Sequence, residues 1–228
     1  MPEIVAVNLK GRLRKGVGPH DVALALVKAT FKTGFVKNRV LEFVGNGIKT
    51  LSMDFRNGID VMTTETTCLS SIWQTDEKTQ KYYIEHGRAD AYKQMSAEEG
   101  TYYDRGIVID LSKIEPMIAL PFHPSNAYTI REFLSRPEEL LRECEIAGQK
   151  LLPNGKGEFK LTDKIKDGKV FVEQGVIAGC AGGMYENVAE ASAILGDTAI
   201  NNNDFTLDIY PSSQPVYKGL VDGGYIGK

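Results

Sequence analysis

Val40-Leu41-Glu42-Phe43-Val44-Gly45-Asn46-Gly47 reads as a strand closed by a turn: a short β-branched and apolar run, one acid inside it, then glycines flanking an asparagine. Upstream, Ile4-Val5-Ala6-Val7-Asn8-Leu9 has the same character and stops at Lys10-Gly11. Between the two runs, Gly18-Pro19-His20-Asp21 puts proline and an acid in a first helical turn. Val22, Ala25, Leu26 and Ala29 then recur at helical spacing as far as a stop at Gly34. The order is therefore strand, helix, strand, and it repeats downstream. A helical stretch is expected over residues 53–64, a strand over 69–73, and a helix capped by Thr75-Asp76 that runs towards His86-Gly87. Strands alternating with helices predict parallel βαβ units in a layered α/β domain.

Residues 107–111 and 117–120 are further strand candidates separated by Pro116, and Pro121-Phe122-His123-Pro124-Ser125-Asn126 reads as a crossover. The boundary is placed there, giving an α/β domain over 1–120 and part of a second α/β domain over 121–228. In the latter, Ser135-Arg136-Pro137-Glu138 suggests a capping box opening a helix through Leu140, Leu141 and Cys144. A βαβα unit follows. A strand from Val170 to Ala178 leads into Gly179-Cys180-Ala181-Gly182-Gly183, then a helix with Met184, Val188, Ala191 and Leu195 on one face. Residues 205–209 form the next strand, Pro211-Ser212-Ser213 a turn, and residues 214–223 a final helix.

The 228 residues suffice for one large or two small domains, and the hydrophobic share of 42% supports a core. Lysine and arginine (27) nearly balance the acids (30) and are scattered, so no footprint for nucleic acid or an anionic membrane is present. No apolar run approaches the roughly 20 residues of a membrane span, and the cytoplasm is the expected location. Cys68, Cys144 and Cys180 show neither disulfide nor zinc spacing, and none of His20, His86 and His123 has metal-ligand spacing to another.

Cys180 is the most informative position. Strand, small-residue loop and helix start would place its sulfur beside unpaired backbone N–H groups, which favours a thiolate as metal ligand or nucleophile. The same loop could hold an anion, or its glycines could serve packing alone. Glu42 is either a functional acid or an outward-facing residue on an edge strand. Glu65, in Met62-Thr63-Thr64-Glu65-Thr66-Thr67-Cys68, and Ser213 could contact a ligand or simply close turns.

In order, these segments resemble the aconitase superfamily. Val40-Leu41-Glu42-Phe43-Val44-Gly45-Asn46-Gly47 resembles its Val-Glu-Tyr/Phe-x-Gly-x-Gly strand, and Glu65 falls at its Met-x-x-Glu stretch. Gly179-Cys180 through Tyr185-Glu186-Asn187 resembles its Ser-Cys-Thr-Asn-x-x-Tyr-Glu-Asp signature, and Pro211-Ser212-Ser213 its Pro-Gly-Ser turn. The resemblance implies an α-β-α sandwich and a hydro-lyase that dehydrates a small hydroxy-carboxylate at a [4Fe-4S] cluster. Cys180 would be the first of three cluster ligands, Glu42 the acid handling a proton of bound water or hydroxyl, and Asn38 an orienting residue for the cluster. Glu65 and Ser213 would contact substrate. The remaining cysteines, an Asp-Ser-His-Thr element and the C-terminal swivelling domain of the family fall outside these residues. The segment therefore reads as a central piece whose partners are the missing domains of the same enzyme, inactive and without a cluster on its own. Ala181-Gly182 departs from the usual Thr-Asn. A non-catalytic α/β binding module and a thiol enzyme using Cys180 are the competing readings.

Overall fold

A computed structural model describes residues 1–196 and 205–226. The chain is mixed α/β and divides into two compact units, Met1–Pro116 and Met117–Lys228.

The first unit is built on a parallel sheet. Its elements are β1 (Ile4–Lys10), α1 (Pro19–Thr30), β2 (Val40–Val44), α2 (Met53–Asp60), β3 (Ser70–Trp73), α3 (Glu77–Glu85) and β4 (Arg105–Asp110), and the sheet order is β3-β2-β1-β4. Stepping from β1 to β2 to β3 moves one way across the sheet, so right-handed crossovers put α1 and α2 on the same face. That face carries the core. Val5, Val7 and Leu9 alternate along β1 beside Leu41 and Phe43 of β2, all fully buried, and Val22, Leu26 and Ile59 from the two helices close over them. Trp73 stacks on Phe43 with ring centroids 4.0 Å apart, and its indole N–H donates to Asp60 at 2.7 Å.

Local chemistry accounts for the ends of these elements. Gly18 N–H donates to Asp21 Oδ2 at 2.7 Å where α1 begins with Pro19, but α1 stops at Thr30, short of Gly34. The helical stretch expected over 53–64 is a shorter α2 continued by a 3-10 turn over Val61–Thr66. Asp76 caps α3 by accepting from Lys78 and Thr79 N–H. Arg56 is 2% exposed and reaches Asp76 at 2.5 Å and the carbonyls of Ile48 and Leu51 at 3.1 and 3.3 Å, clamping the turn after β2 to the start of α3. Nothing in the local pattern around Arg56 announced this.

The second unit contains β5 (Met117–Ala119), β6 (Ala127–Thr129), α4 (Ile130–Ser135), α5 (Pro137–Gln149), β7 (Ile165–Lys166), β8 (Lys169–Val170), β9 (Gln174–Ala178), α6 (Gly179–Gly182), α7 (Tyr185–Leu195), β10 (Thr206–Tyr210) and α8 (Gln214–Asp222). Residues 121–126 join β5 and β6 into an antiparallel pair, with Leu120 N–H donating to Asn126 O at 2.8 Å, where a crossover was expected. The expected capping box at Ser135 is not made. Thr129 caps α4, which takes Ser135 into its last turn, and α5 starts from Arg136 with no side-chain cap, although Pro137 does occupy its first position. Leu120, Phe133, Leu140, Leu141 and the buried Cys144 form a compact core here. The strand expected from Val170 to Ala178 is split. Val170 belongs to the β7–β8 hairpin, and β9 pairs in parallel with β10.

Candidate functional site

The loops after parallel strands gather at the carboxyl end of a sheet, which is where α/β folds bind ligands. In the second unit, β9 delivers the Gly179–Gly183 loop and β10 delivers Pro211-Ser212-Ser213 to that end. The two loops touch: Ser212 N–H donates to Gly183 O at 2.9 Å. Gly183 makes the approach possible, because a Cβ there would lie 2.9 Å from Ser212 N and press on Tyr210 O. Asn187 of α7 donates from Nδ2 to Ala181 O at 2.8 Å and ties the helix back to the loop. Gly179 adopts φ +78°, a left-handed conformation that turns the chain so that Cys180 is exposed. Ser213 caps α8, its hydroxyl oxygen accepting from Val216 N–H at 3.4 Å. Cys180 and Ser213 thus sit on contacting loops at one end of one strand pair.

The other two cysteines are used differently. Cys68 is half-buried and donates to Thr63 O at 3.4 Å, while burial pushes the Cys144 thiol up against a bond from Asn126 that lowers it. Among the described residues no group of three or more His, Cys, Asp or Glu side chains could hold a metal ion. The donor set offered is one thiol, which fits one corner of a thiolate-held cluster and no more.

In the first unit Glu42 lies on β2 between β1 and β3, paired with Ala6 and Ile72, and so on an inner strand, not an edge. Its parity along the strand sets it on the face opposite the Leu41 and Phe43 core. Tyr103 lies beside it. Burial, and then the Glu42 carboxylate, raise the Tyr103 pKa, although the buried phenol makes no hydrogen bond of regular geometry. Asn38 (φ +57°) precedes β2 and Glu65 lies in the 3-10 turn before β3, both exposed. Asn38 N–H donates to Thr67 O at 3.0 Å, so these two segments meet at the amino end of the strands. Glycines 45 and 47 serve packing: a Cβ on Gly45 would meet Leu9 O at 2.5 Å, and one on Gly47 would meet Leu9 C at 2.8 Å.

Tyr103 and Asn187 were not singled out from sequence. The signature Tyr185-Glu186-Asn187 contained the signal for Asn187, whereas Tyr103 sits in an irregular segment with none.

Comparison with known proteins adds the family. Residues 1–227 match the model of the aconitase family (aconitate hydratase). The chain is 30% identical over 225 residues to a 3-isopropylmalate dehydratase large subunit of Elusimicrobium minutum, covering 99% of this chain and 45% of the relative. It is similarly 30% identical over 226 residues to the Clostridium kluyveri protein of that name, covering 99% of this chain and 45% of the relative. It is 27% identical over 226 residues to a 2,3-dimethylmalate dehydratase large subunit of Eubacterium barkeri, covering 99% of this chain and 45% of the relative. The chain spans about half the length of the relatives it matches. With a family match running through both glycine-rich loops, the one after β2 and the one that carries Cys180, the chain belongs to the aconitase family.

Proposed function

We propose that this chain is the central part of a hydro-lyase that reversibly dehydrates a hydroxy-carboxylic acid, with Cys180 as one thiolate ligand of a [4Fe-4S] cluster. The observation that carries the reading is the exposed Cys180 at the carboxyl end of the β9–β10 pair, on a loop in contact with the Ser212-Ser213 turn. Held by further thiolates from polypeptide outside these residues, such a cluster supplies a Lewis acid that assists departure of a hydroxyl group. Glu42 holds a carboxylate able to take or return a proton, and Ser213 offers a hydroxyl to substrate. The orienting and substrate-contacting roles of Asn38 and Glu65 rest on the resemblance alone, since both lie at the amino end of the first sheet. The names of the relatives indicate alkyl-substituted malates as the substrate class and a small subunit as a partner. The cytoplasm is the location proposed with this function.

One thiol cannot retain four irons, so the chain alone is inactive. Anaerobic reconstitution of the chain by itself is expected to give no stoichiometric iron or sulfide and no unsaturated acid from 3-isopropylmalate or 2,3-dimethylmalate. A stoichiometric cluster on this chain alone would overturn the reading.

A further inference from the structure

β4 ends the sheet of the first unit, and its outer edge is unpaired among the described residues. The edge at β3 is managed. That strand has four residues, and just beyond it Thr75 N–H donates to Met95 O at 2.9 Å, so irregular chain lies against its end. β4 is different. Its six residues, Arg105-Gly106-Ile107-Val108-Ile109-Asp110, carry charge only at the two ends and contain no proline. Parallel sheets occur almost only with both faces covered, yet Val108 is 63% exposed and Ile72, on the same face, 47%. On the α1 side a groove of about 440 Å³ runs along Ile107 and Ile109 against Ala25, Leu26 and Ala29. The small residues of α1 would let another helix come close.

An apolar groove alone could take many occupants. A groove running beside a strand with unmet N–H and C=O groups asks for main-chain hydrogen bonds, which a polypeptide strand supplies. We propose that β4 receives a further β-strand, and that a helix attached to it fills the groove against Ala25 and Ala29. Both come from the part of the large-subunit architecture outside the matched residues. The relatives supply the occupant, since 55% of the Elusimicrobium minutum protein lies beyond the 45% this chain covers. The inference rests on the hydro-lyase reading only in taking that remaining part as the partner.

The test is amide exchange by mass spectrometry on the full chain, alone and mixed with a polypeptide comprising the Elusimicrobium minutum large-subunit residues outside the match. Residues 105–110 are expected to exchange about 10-fold or more slowly in the mixture, with residues 70–73 unchanged. Ala29→Arg, on the wall of the groove, should remove that protection. Ala29 is exposed, so the variant should fold, and an unaltered far-ultraviolet circular dichroism spectrum checks this. Three results would overturn the inference: association with residues 105–110 exchanging as in the isolated chain, no association, or protection of β4 in the chain alone at doubled mass, which would assign the edge to a second copy. Turnover of 3-isopropylmalate is assayed in the same mixture after anaerobic reconstitution with iron and sulfide and addition of the Elusimicrobium minutum small subunit. Turnover with β4 unprotected sinks the docking inference and leaves the hydro-lyase reading standing, whereas protection without turnover does the reverse.

Discussion

Two glycine-rich turns follow parallel strands in this chain, one after β2 and one after β9, and the fold uses them in opposite ways. Gly45 and Gly47 are pressed against the Leu9 backbone, and the chain beyond them is clamped by Arg56 through the carbonyls of Ile48 and Leu51. After β9, Gly183 is the glycine seen in close contact with neighbouring backbone. Gly179 faces open space, and the residue between them that carries chemistry, Cys180, is exposed. Strand-plus-glycine is therefore a packing device in the first unit and a display device in the second. The surroundings differ accordingly: four strands with a filled core in one, and a two-stranded pair in the other whose Val176 and Tyr210 are 55% and 61% exposed. Two parallel strands are too few to be stable without further cover.

Substitution should separate the two turns sharply. Gly45→Ala has the largest expected cost, roughly 3–5 kcal/mol in urea unfolding, because φ +101° strains any side chain and its Cβ would meet Leu9 O. An unchanged midpoint would break the packing account. Removing the clamp with Arg56→Met comes next, on the order of 3 kcal/mol, since Asp76 is left partly buried and unpaired but retains some solvent.

The clamp also has a pH signature. Burial raises the Asp76 pKa, but the Arg56 hydrogen bond and the Thr79 N–H together hold it below the ordinary aspartate value. A lowered folded pKa gives stability that is complete above the unfolded value of about 3.9 and lost as pH falls through the folded one. Wild type should therefore lose stability below about pH 4 more steeply than Asp76→Asn, which is weaker at neutral pH and flatter in acid. Parallel acid limbs would contradict the assignment.

In the second turn the costs shrink. Gly183→Ala should destabilise by about 1–3 kcal/mol through contact with the β10 backbone, and Gly179→Ala by about 1 kcal/mol from its left-handed φ alone. Cys180→Ser should stay within about 0.5 kcal/mol of wild type while removing the fast phase of iodoacetamide labelling, because Cys144 is buried and Cys68 is half-buried and bonded to Thr63 O. A slow, protected Cys180 would erase the contrast.

Much of this was legible from the chain itself. The short apolar, β-branched runs over residues 4–9 and 40–44 and the period-3.6 spacing after Pro19 sufficed for the parallel sheet, because local pattern and burial agree there. The Cys180 loop was found by its strand, glycines and signature, and its contact with the Ser212 turn follows from the pairing of β9 with β10. What escaped depends on distant partners. Arg56 becomes buried only because Asp76 arrives 20 residues later, and Tyr103 meets Glu42 only once the chain returns across the sheet. The missed cap at Ser135 came from competition, because Thr129 starts a short helix that consumes it. Glu42 looked like an edge residue because strand order is invisible to a single strand.

The exposed thiol that the second turn displays is the point on which the account stands. Iron and sulfide should be counted after anaerobic reconstitution of the full assembly, comparing wild-type chain with Cys180→Ser at equal folded concentration. The account predicts a complete cluster with the wild-type chain and loss of stable four-iron stoichiometry with the serine variant, together with loss of dehydration. A Cys180→Ser assembly that still holds a stoichiometric cluster and turns over substrate would contradict it.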